Sequence, residues 1–258
     1  LKKKMSKLVV INQDAKIGKN VKIDSFSSIH ENVIIGDNCW IGSNVTIYPG
    51  ARIGANCQIF PGAVISAIPQ DLKFQGENTT VVIGENVIIR ECVTINRGTS
   101  HSNTTIVGDN TFLMAYSHVA HDCVINNNVI IANGVAIAGH VEIDEYAIIG
   151  GLSAIQQFSK IGKFSMVSGG SLVRKDVPPY IKVAKEPLRF IGINKIGLKR
   201  NNFNKEKIEN ISSIFRIIFQ EGNNISKAIE ILEKNHDCSN EKQEILKFIK
   251  NSKIGIIK

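Results

Sequence analysis

No apolar run in this 258-residue chain approaches the roughly 20 residues needed to span a bilayer. Its start, Leu1-Lys2-Lys3-Lys4-Met5, lacks the long apolar stretch and small-residue cleavage site of a secretory signal. These absences predict a cytoplasmic protein with no integral membrane segment, and the first four residues are given no structural role. The cysteines, Cys39, Cys57, Cys92, Cys123 and Cys238, include no Cys-x-x-Cys pair. That argues against a zinc ribbon or a disulfide framework and predicts small buried thiols. No Arg-rich run or nucleic-acid module occurs, so nucleic acid is not expected as a partner. A Gly-rich phosphate loop and a nucleophile elbow are also missing, which favours direct transfer chemistry over a covalent enzyme intermediate.

What is present is aliphatic and unevenly charged. The hydrophobic content of 43% is enough to fill the core of one large domain or two modest ones. Residues 1–173 carry 13 Lys plus Arg against 13 Asp plus Glu, whereas residues 174–258 carry 18 against 10. The whole net charge of +8 therefore lies in the last third, a basic appendage on a neutral body that suits an acidic partner.

The body is an internal repeat. Isoleucine occupies positions 11, 17, 23, 29, 35, 41, 47, 53, 59 and 65, and the phase continues through Ile83, Ile89, Ile95 and then Val107 to Val173. Two residues before each aliphatic stands a small or β-branched residue, as at Val33, Cys39, Val45 and Ala51, and glycine often follows it, as at Gly36 and Gly54. Neither a helix nor a plain strand has a period of six. A short strand followed by a turn does, and three such hexapeptides close a triangular coil whose aliphatics stack on those of the next coil. The prediction is a mainly β protein, a parallel β-helix with open ends that need caps. Asp71, Glu77 and His101 fall in phase yet cannot enter the core, so residues 67–80 and 97–105 are expected as loops pushed out of the prism.

The repeat is expected to end near Val173, with a break at Pro178-Pro179. Beyond it, apolar residues at helical spacing predict three helices between residues 204 and 252, packed on the last coil. The expected organisation is a β-helix over 6–177 and a C-terminal α-helical domain over 178–258.

The densest polar cluster is Ser117-His118-Val119-Ala120-His121-Asp122-Cys123, with Gly139-His140 beyond it. Counting three hexapeptides to the coil puts His121, Gly139 and Gln157 in one column and His140 over Asp122. A histidine to take a proton, a backbone N–H to stabilise an oxyanion and a carboxylate to fix the imidazole tautomer suit acyl transfer. Three histidines, His118, His121 and His140, also leave open a metal-dependent hydratase of the carbonic anhydrase type, and a scaffold solenoid without catalysis is the third reading.

Further motifs carry a specific resemblance. Ile68-Pro69-Gln70-Asp71-Leu72-Lys73, Ile89-Arg90-Glu91, Asn96-Arg97-Gly98-Thr99, His118-Val119-Ala120-His121-Asp122-Cys123, Ala138-Gly139-His140, Gln157-Phe158, Asp176-Val177-Pro178-Pro179-Tyr180 and Gly197-Leu198-Lys199-Arg200 resemble the UDP-N-acetylglucosamine acyltransferases of lipid A biosynthesis along nearly the whole chain. The resemblance implies a left-handed parallel β-helix, a homotrimer, and an active site in the groove between subunits. The implied reaction moves an (R)-3-hydroxyacyl group from acyl carrier protein to the 3-position of the UDP-sugar. No cofactor or metal is implied, because the acyl group arrives on the carrier's phosphopantetheine.

Position by position, the resemblance makes His121 the general base, Asp122 its support and Gly139 the oxyanion donor. Asp71, Lys73, His118 and His140 would contact the sugar nucleotide or acyl donor. Gln157, Asn194 and Arg200 would hold the uridine diphosphate, and Gly169, two residues after Val167 as His121 is after Val119, would measure the acyl chain. Four residues depart from the family pattern: Gln156 and Asn96 where histidine is common, Asn201 where arginine is, and Ile196 where an acidic residue is. The related N-acyltransferases of the pathway carry a uridine-binding domain ahead of the prism, and here the repeat already starts at Ile11.

Overall fold

The structure is a computed structural model that describes residues 8–234 and 239–258. The leading residues through Lys7, and Cys238, lie outside the described residues. Most strands of the prism are only two residues long, because each hexapeptide supplies one inward aliphatic and then turns. They assemble into three sheets of nine, eight and ten strands, in which each strand up to Leu172–Val173 pairs with strands three places away along the chain, except at the end of the ten-stranded sheet. Val10–Ile11 thus lies parallel to Ser28–Ile29, and Ala136–Ile137 to Ala154–Ile155, each three hexapeptides on. The result is a left-handed parallel β-helix of triangular section.

Of the aliphatics in phase, only Ile11 and Ile17, on the first coil, are not buried. The turns explain the rest of the hexapeptide. Asn20, Asn38 and Asn56 adopt φ of 57°, 60° and 60°, a left-handed conformation that asparagine tolerates better than most residues. Their side-chain amides form a ladder, Asn20 donating to Asn38 at 3.1 Å and Asn38 to Asn56 at 3.3 Å. Gly36 serves close approach instead: a Cβ there would stand 2.7 Å from the backbone of Gly54 in the next coil.

The two excursions are slightly shorter than expected. The chain leaves the prism after Ala67 and returns at Thr80, then leaves after Asn96 and returns at Thr104. Thr105, expected in a loop, is a buried strand residue because it fills the small inward slot two places before Val107.

Strand pairing also runs past Val173. Val177 bridges to Ile161, and Ile181–Ala184 pairs in parallel with Met166–Val167, aligning Val183 with Val167. Both pairings fall two residues short of three hexapeptides, so the last partial coil drops out of the phase. The antiparallel strand Arg189–Ile193 completes a hairpin that the repeat pattern does not predict. A six-residue helix α1 (Lys195–Arg200) follows, and then the three expected helices, α2 (Lys205–Phe219), α3 (Ile225–Lys234) and α4 (Asn240–Asn251). Lys163 and the Tyr180 hydroxyl both donate to Glu244 of α4, and Ser252 donates to Asp176 at 2.6 Å, tying this region to the prism end.

Cys39, Cys57 and Cys123 are buried as expected, whereas Cys92 is exposed. It occupies a left-handed turn position, φ 55°, at a corner of the prism rather than the inward slot. Among the described residues no helix is long and apolar enough to cross a membrane.

Candidate active site

The first sheet ends each coil at a corner, and one corner gathers the polar cluster. His118 lies on the strand His118–Val119 with its ring outward, and the chain then turns through His121 and Asp122. The backbone ladder of this corner runs from His140 N–H to His121 C=O at 3.1 Å and from Phe158 N–H to Gly139 C=O at 3.2 Å. The columns expected from the repeat are therefore real: Gly139 lies over His121, and His140 over Asp122.

Asp122 is the hub. Its φ of 59° turns the carboxylate toward the excursion at residues 97–103. One oxygen accepts the N–H of Thr99 at 3.0 Å, the N–H of Ser102 at 3.2 Å and the Ser102 hydroxyl. The other accepts the Thr99 hydroxyl at 2.7 Å and lies 2.8 Å from His121 Nδ1. Burial alone would push this carboxyl up, but the donors on Ser102, Thr99 and His121 outweigh it and hold it at about 2. An ionised Asp122 accepts Nδ1–H, which leaves the His121 Nε2 lone pair free. Gly139 packs on that side of the ring, where a Cβ would come within 2.7 Å of Nε2. Its N–H makes no hydrogen bond among the described residues.

Around this pair stand three more histidines. His140 Nε2 is 3.9 Å from the Asp122 carboxylate, and its ring stacks on Phe158 at 4.6 Å and meets His101 edge-on at 4.6 Å. His118 Nδ1 is hydrogen-bonded to the Thr94 hydroxyl at 2.7 Å. Burial lowers the pKa of His118, and the His121 charge lowers it further; burial also lowers that of His140, where the Asp122 carboxylate opposes the shift and the His101 and His121 charges add to it. In a His121→Ala variant the His118 midpoint, followed by NMR, should rise but stay below the ordinary histidine value, since burial is the larger cause. A midpoint that does not move would mean that the two rings are not electrostatically coupled.

His121, Asp122 and His140 bring potential ligand atoms within 4.8 Å of one another. A cation there would have to displace the His121–Asp122 hydrogen bond from an oxygen that already accepts the Thr99 hydroxyl. Within the trio only His121 and Asp122 are hydrogen-bonded to each other, His140 standing 3.9 Å from the carboxylate, and no metal is assigned to it.

A cavity of about 380 Å³ opens beside His140. It brings together four of the expected binding residues, Asp71, Lys73, His140 and Gln157, with Phe74 and His101. Asp71 folds its loop by accepting the Lys73 N–H at 2.9 Å. Asn194 and Arg200 are elsewhere in the protomer. With Ile196 and Asn201 they line a separate cavity of about 690 Å³ over the outer face of the third sheet, floored by Ile130, Ile148 and Met166. Both polar groups of the Asn194 side chain are already engaged, the amide N–H donating to Phe164 C=O at 2.9 Å and the oxygen capping α1 at Gly197 N–H. Asn201 closes the other end of α1 by donating to Gly197 C=O at 2.9 Å. Gln156 is exposed at the His121 corner, and Asn96 is buried, donating to Ile68 C=O at 3.2 Å.

Gly169 occupies the same slot of its hexapeptide as His121 but a different corner of the prism. Its corner is the one where Leu152 N–H meets Asn133 C=O at 2.9 Å and Gly170 N–H meets Gly151 C=O at 2.8 Å, between the third and first sheets. The reason is arithmetic: Gly169 stands eight hexapeptides after His121, and eight is not a multiple of three. The left-handed turn residue there is Gly170, φ 71°, and not Gly169.

Thr99, Ser102, Thr94, His101 and Phe158 received no role from sequence. The register break at residues 97–103 was the one signal for the first two, since a loop leaving the prism beside His121 has to be anchored there.

Comparison with known proteins agrees with this geometry. The family profile described as UDP N-acetylglucosamine O-acyltransferase, domain 2, matches residues 176–257, and that of bacterial transferase hexapeptide repeats matches residues 14–39, 32–67 and 104–139. The acyl-[acyl-carrier-protein]–UDP-N-acetylglucosamine O-acyltransferase of Aquifex aeolicus is 56% identical over 193 residues, 74% of each chain. That of Chlorobaculum parvum is 52% identical over 192 residues, 74% of this chain and 73% of the relative. The crystal structure of the UDP-N-acetylglucosamine acyltransferase of Bacteroides fragilis superposes with a TM-score of 0.97 at 49% identity, covering 99% of this chain and 100% of that one. From the hexapeptide prism to the last helix, this chain belongs to the UDP-N-acetylglucosamine O-acyltransferase family.

Proposed function

We propose that the chain transfers an (R)-3-hydroxyacyl group from the phosphopantetheine thioester of acyl carrier protein to the 3-hydroxyl of UDP-N-acetylglucosamine, the first step of lipid A biosynthesis. The observation that carries the reading is His121: Asp122 holds Nδ1 at 2.8 Å, Nε2 is free, and the Gly139 backbone lies against the ring. Nε2 takes the proton of the sugar hydroxyl as its oxygen attacks the thioester carbonyl carbon. The Gly139 N–H stabilises the oxyanion, and collapse breaks the C–S bond, the thiolate regaining its proton from His121. No cofactor enters this step.

The cavity beside His140 supplies polar groups for the sugar nucleotide, with Lys73 as a phosphate partner and Asp71 as an acceptor for sugar hydroxyls. Asn194 and Arg200 cannot join it within one protomer. A homotrimer in which the 690 Å³ cavity of one protomer faces the His121 corner of the next resolves the separation, with Arg200 on the diphosphate and Asn194 positioning α1. The same arrangement lets Gly169 limit the acyl chain although it lies on another corner. A Gly169→Met enzyme should then prefer shorter donors. The new Cβ would sit 3.0 Å from Gly151 O, a contact that a shift of a few tenths of an ångström relieves. An unchanged length preference in a folded trimer would remove Gly169 from this role.

The reading is tested by offering acyl carrier donor with either UDP-N-acetylglucosamine or its 3-amino analogue. Acylation of the hydroxyl acceptor is expected, and exclusive use of the amine would overturn the O-acyl assignment.

A further inference from the structure

We infer that the acidic carrier protein docks on a basic basin at the C-terminal end of the first sheet, on the same corner of the prism as His121. The inference rests on the acyl-transfer reading for the identity of the partner. The basin is a cavity of about 630 Å³ between the last strand of the first sheet, the hairpin and the end of α2. Arg174, Lys175 and Arg189 stand around it, Leu172, Phe190 and Phe219 form its apolar part, and no acidic residue lines it. Arg174 is paired with Glu186 at 2.8 Å, both more than half exposed, so that pair screens little. Lys175 and Arg189 form no ion pair among the described residues.

Position decides between this basin and the other cavities. The cavity between the second sheet and α4 has four acidic residues in its lining and would repel an acidic protein. The 690 Å³ cavity also lacks acidic residues, but it lies over the third sheet and is taken by the nucleotide reading. Lys175 stands two residues after Val173 as His121 stands two after Val119. Nine hexapeptides, three whole coils, separate the two, so they share a corner. Three coils at strand spacing place Lys175 about 14 Å along the axis from His121. That leaves room for a flexible prosthetic arm to run from a carrier seated on the basin down the corner, past Gln157 and Gly139, to the imidazole. Opposite charge at such a surface acts mainly on encounter and on salt dependence.

The test is the double variant Lys175→Glu, Arg189→Glu, assayed with the same hydroxyacyl group on carrier protein and on pantetheine alone. Expected is a rise in KM for the carrier donor on the order of tenfold at low salt, with kcat and the pantetheine donor unchanged, and a flatter salt dependence. An unchanged KM for the carrier donor would overturn the docking site. So would an equal rise for both donors, which would place these residues against the arm and not the protein. Failure of the acyl-transfer reading looks different, since the unaltered chain would turn over neither donor. Direct titration with carrier protein then still decides: weaker binding by the variant supports the surface, and equal binding refutes it.

Discussion

Replacing His121 by alanine should lower acyl transfer by about 10² to 10⁴ in kcat, the usual worth of a positioned general base, while leaving the prism folded. The ring is outside the aliphatic core: Val119 and Cys123 on either side point inward and are fully buried, whereas His121 packs on the Gly139 backbone and the Asp122 carboxylate. Alanine leaves the isoleucine stacks untouched, and the corner hydrogen bond from His140 N–H to His121 C=O is made by backbone. Thermal unfolding should therefore change little, and the KM for the nucleotide should stay within a few-fold. Near-normal kcat in a folded variant would eliminate His121 as the base.

Asp122→Asn should be as damaging to rate and worse for stability. Five donors converge on this carboxylate, from Thr99 N and Oγ1, Ser102 N and Oγ, and His121 Nδ1. An asparagine has one oxygen, so its amide nitrogen must face donors. Either the loop at residues 97–103 or His121 loses its acceptor, and an orphaned buried group costs about 1–3 kcal/mol. If the amide N–H donates to Nδ1, the imidazole proton moves to Nε2 and the base is occupied. The equivalent change in serine hydrolase triads costs about 10⁴ in rate. The pH dependence follows from the depressed carboxyl. A group held at about 2 against an ordinary value of 3.8 stabilises the fold above the ordinary value, and that stability is lost as pH falls toward 2. The stability gap between the unaltered protein and the variant should thus be full at neutral pH and shrink between about pH 4 and 2. An active variant with an unchanged acid limb would mean that Asp122 neither orients His121 nor anchors the loop.

The prism was legible because its signal is arithmetic. One aliphatic per six residues can be satisfied only by stacking, and the stacking then fixes which outward residues meet, so Gly139 over His121 and His140 over Asp122 were readable by counting three hexapeptides along the chain. The same arithmetic applied to Gly169 shows a different corner, and reading its repeat slot alone hid this. The final partial coil was missed because its shorter spacing leaves the phase that marks all the others. The hairpin Ile181–Ala184 and Arg189–Ile193 is held by pairing to a prism that the local sequence does not announce. The partners of Asp122 were missed for a related reason: Thr99 and Ser102 reach it through an excursion of the chain, and a loop has no period from which to compute a contact. Asn194 shows the opposite limit, a residue singled out for ligand binding whose side chain is engaged in capping a short helix.

The most direct test of the account is the intact mass of both protein and nucleotide after a single turnover, with 3-hydroxyacyl carrier protein as donor and UDP-N-acetylglucosamine as acceptor. Direct transfer promoted by His121 predicts that the nucleotide gains one hydroxyacyl group and the protein none. An acyl group found on the protein, or a nucleotide that gains nothing, would contradict it.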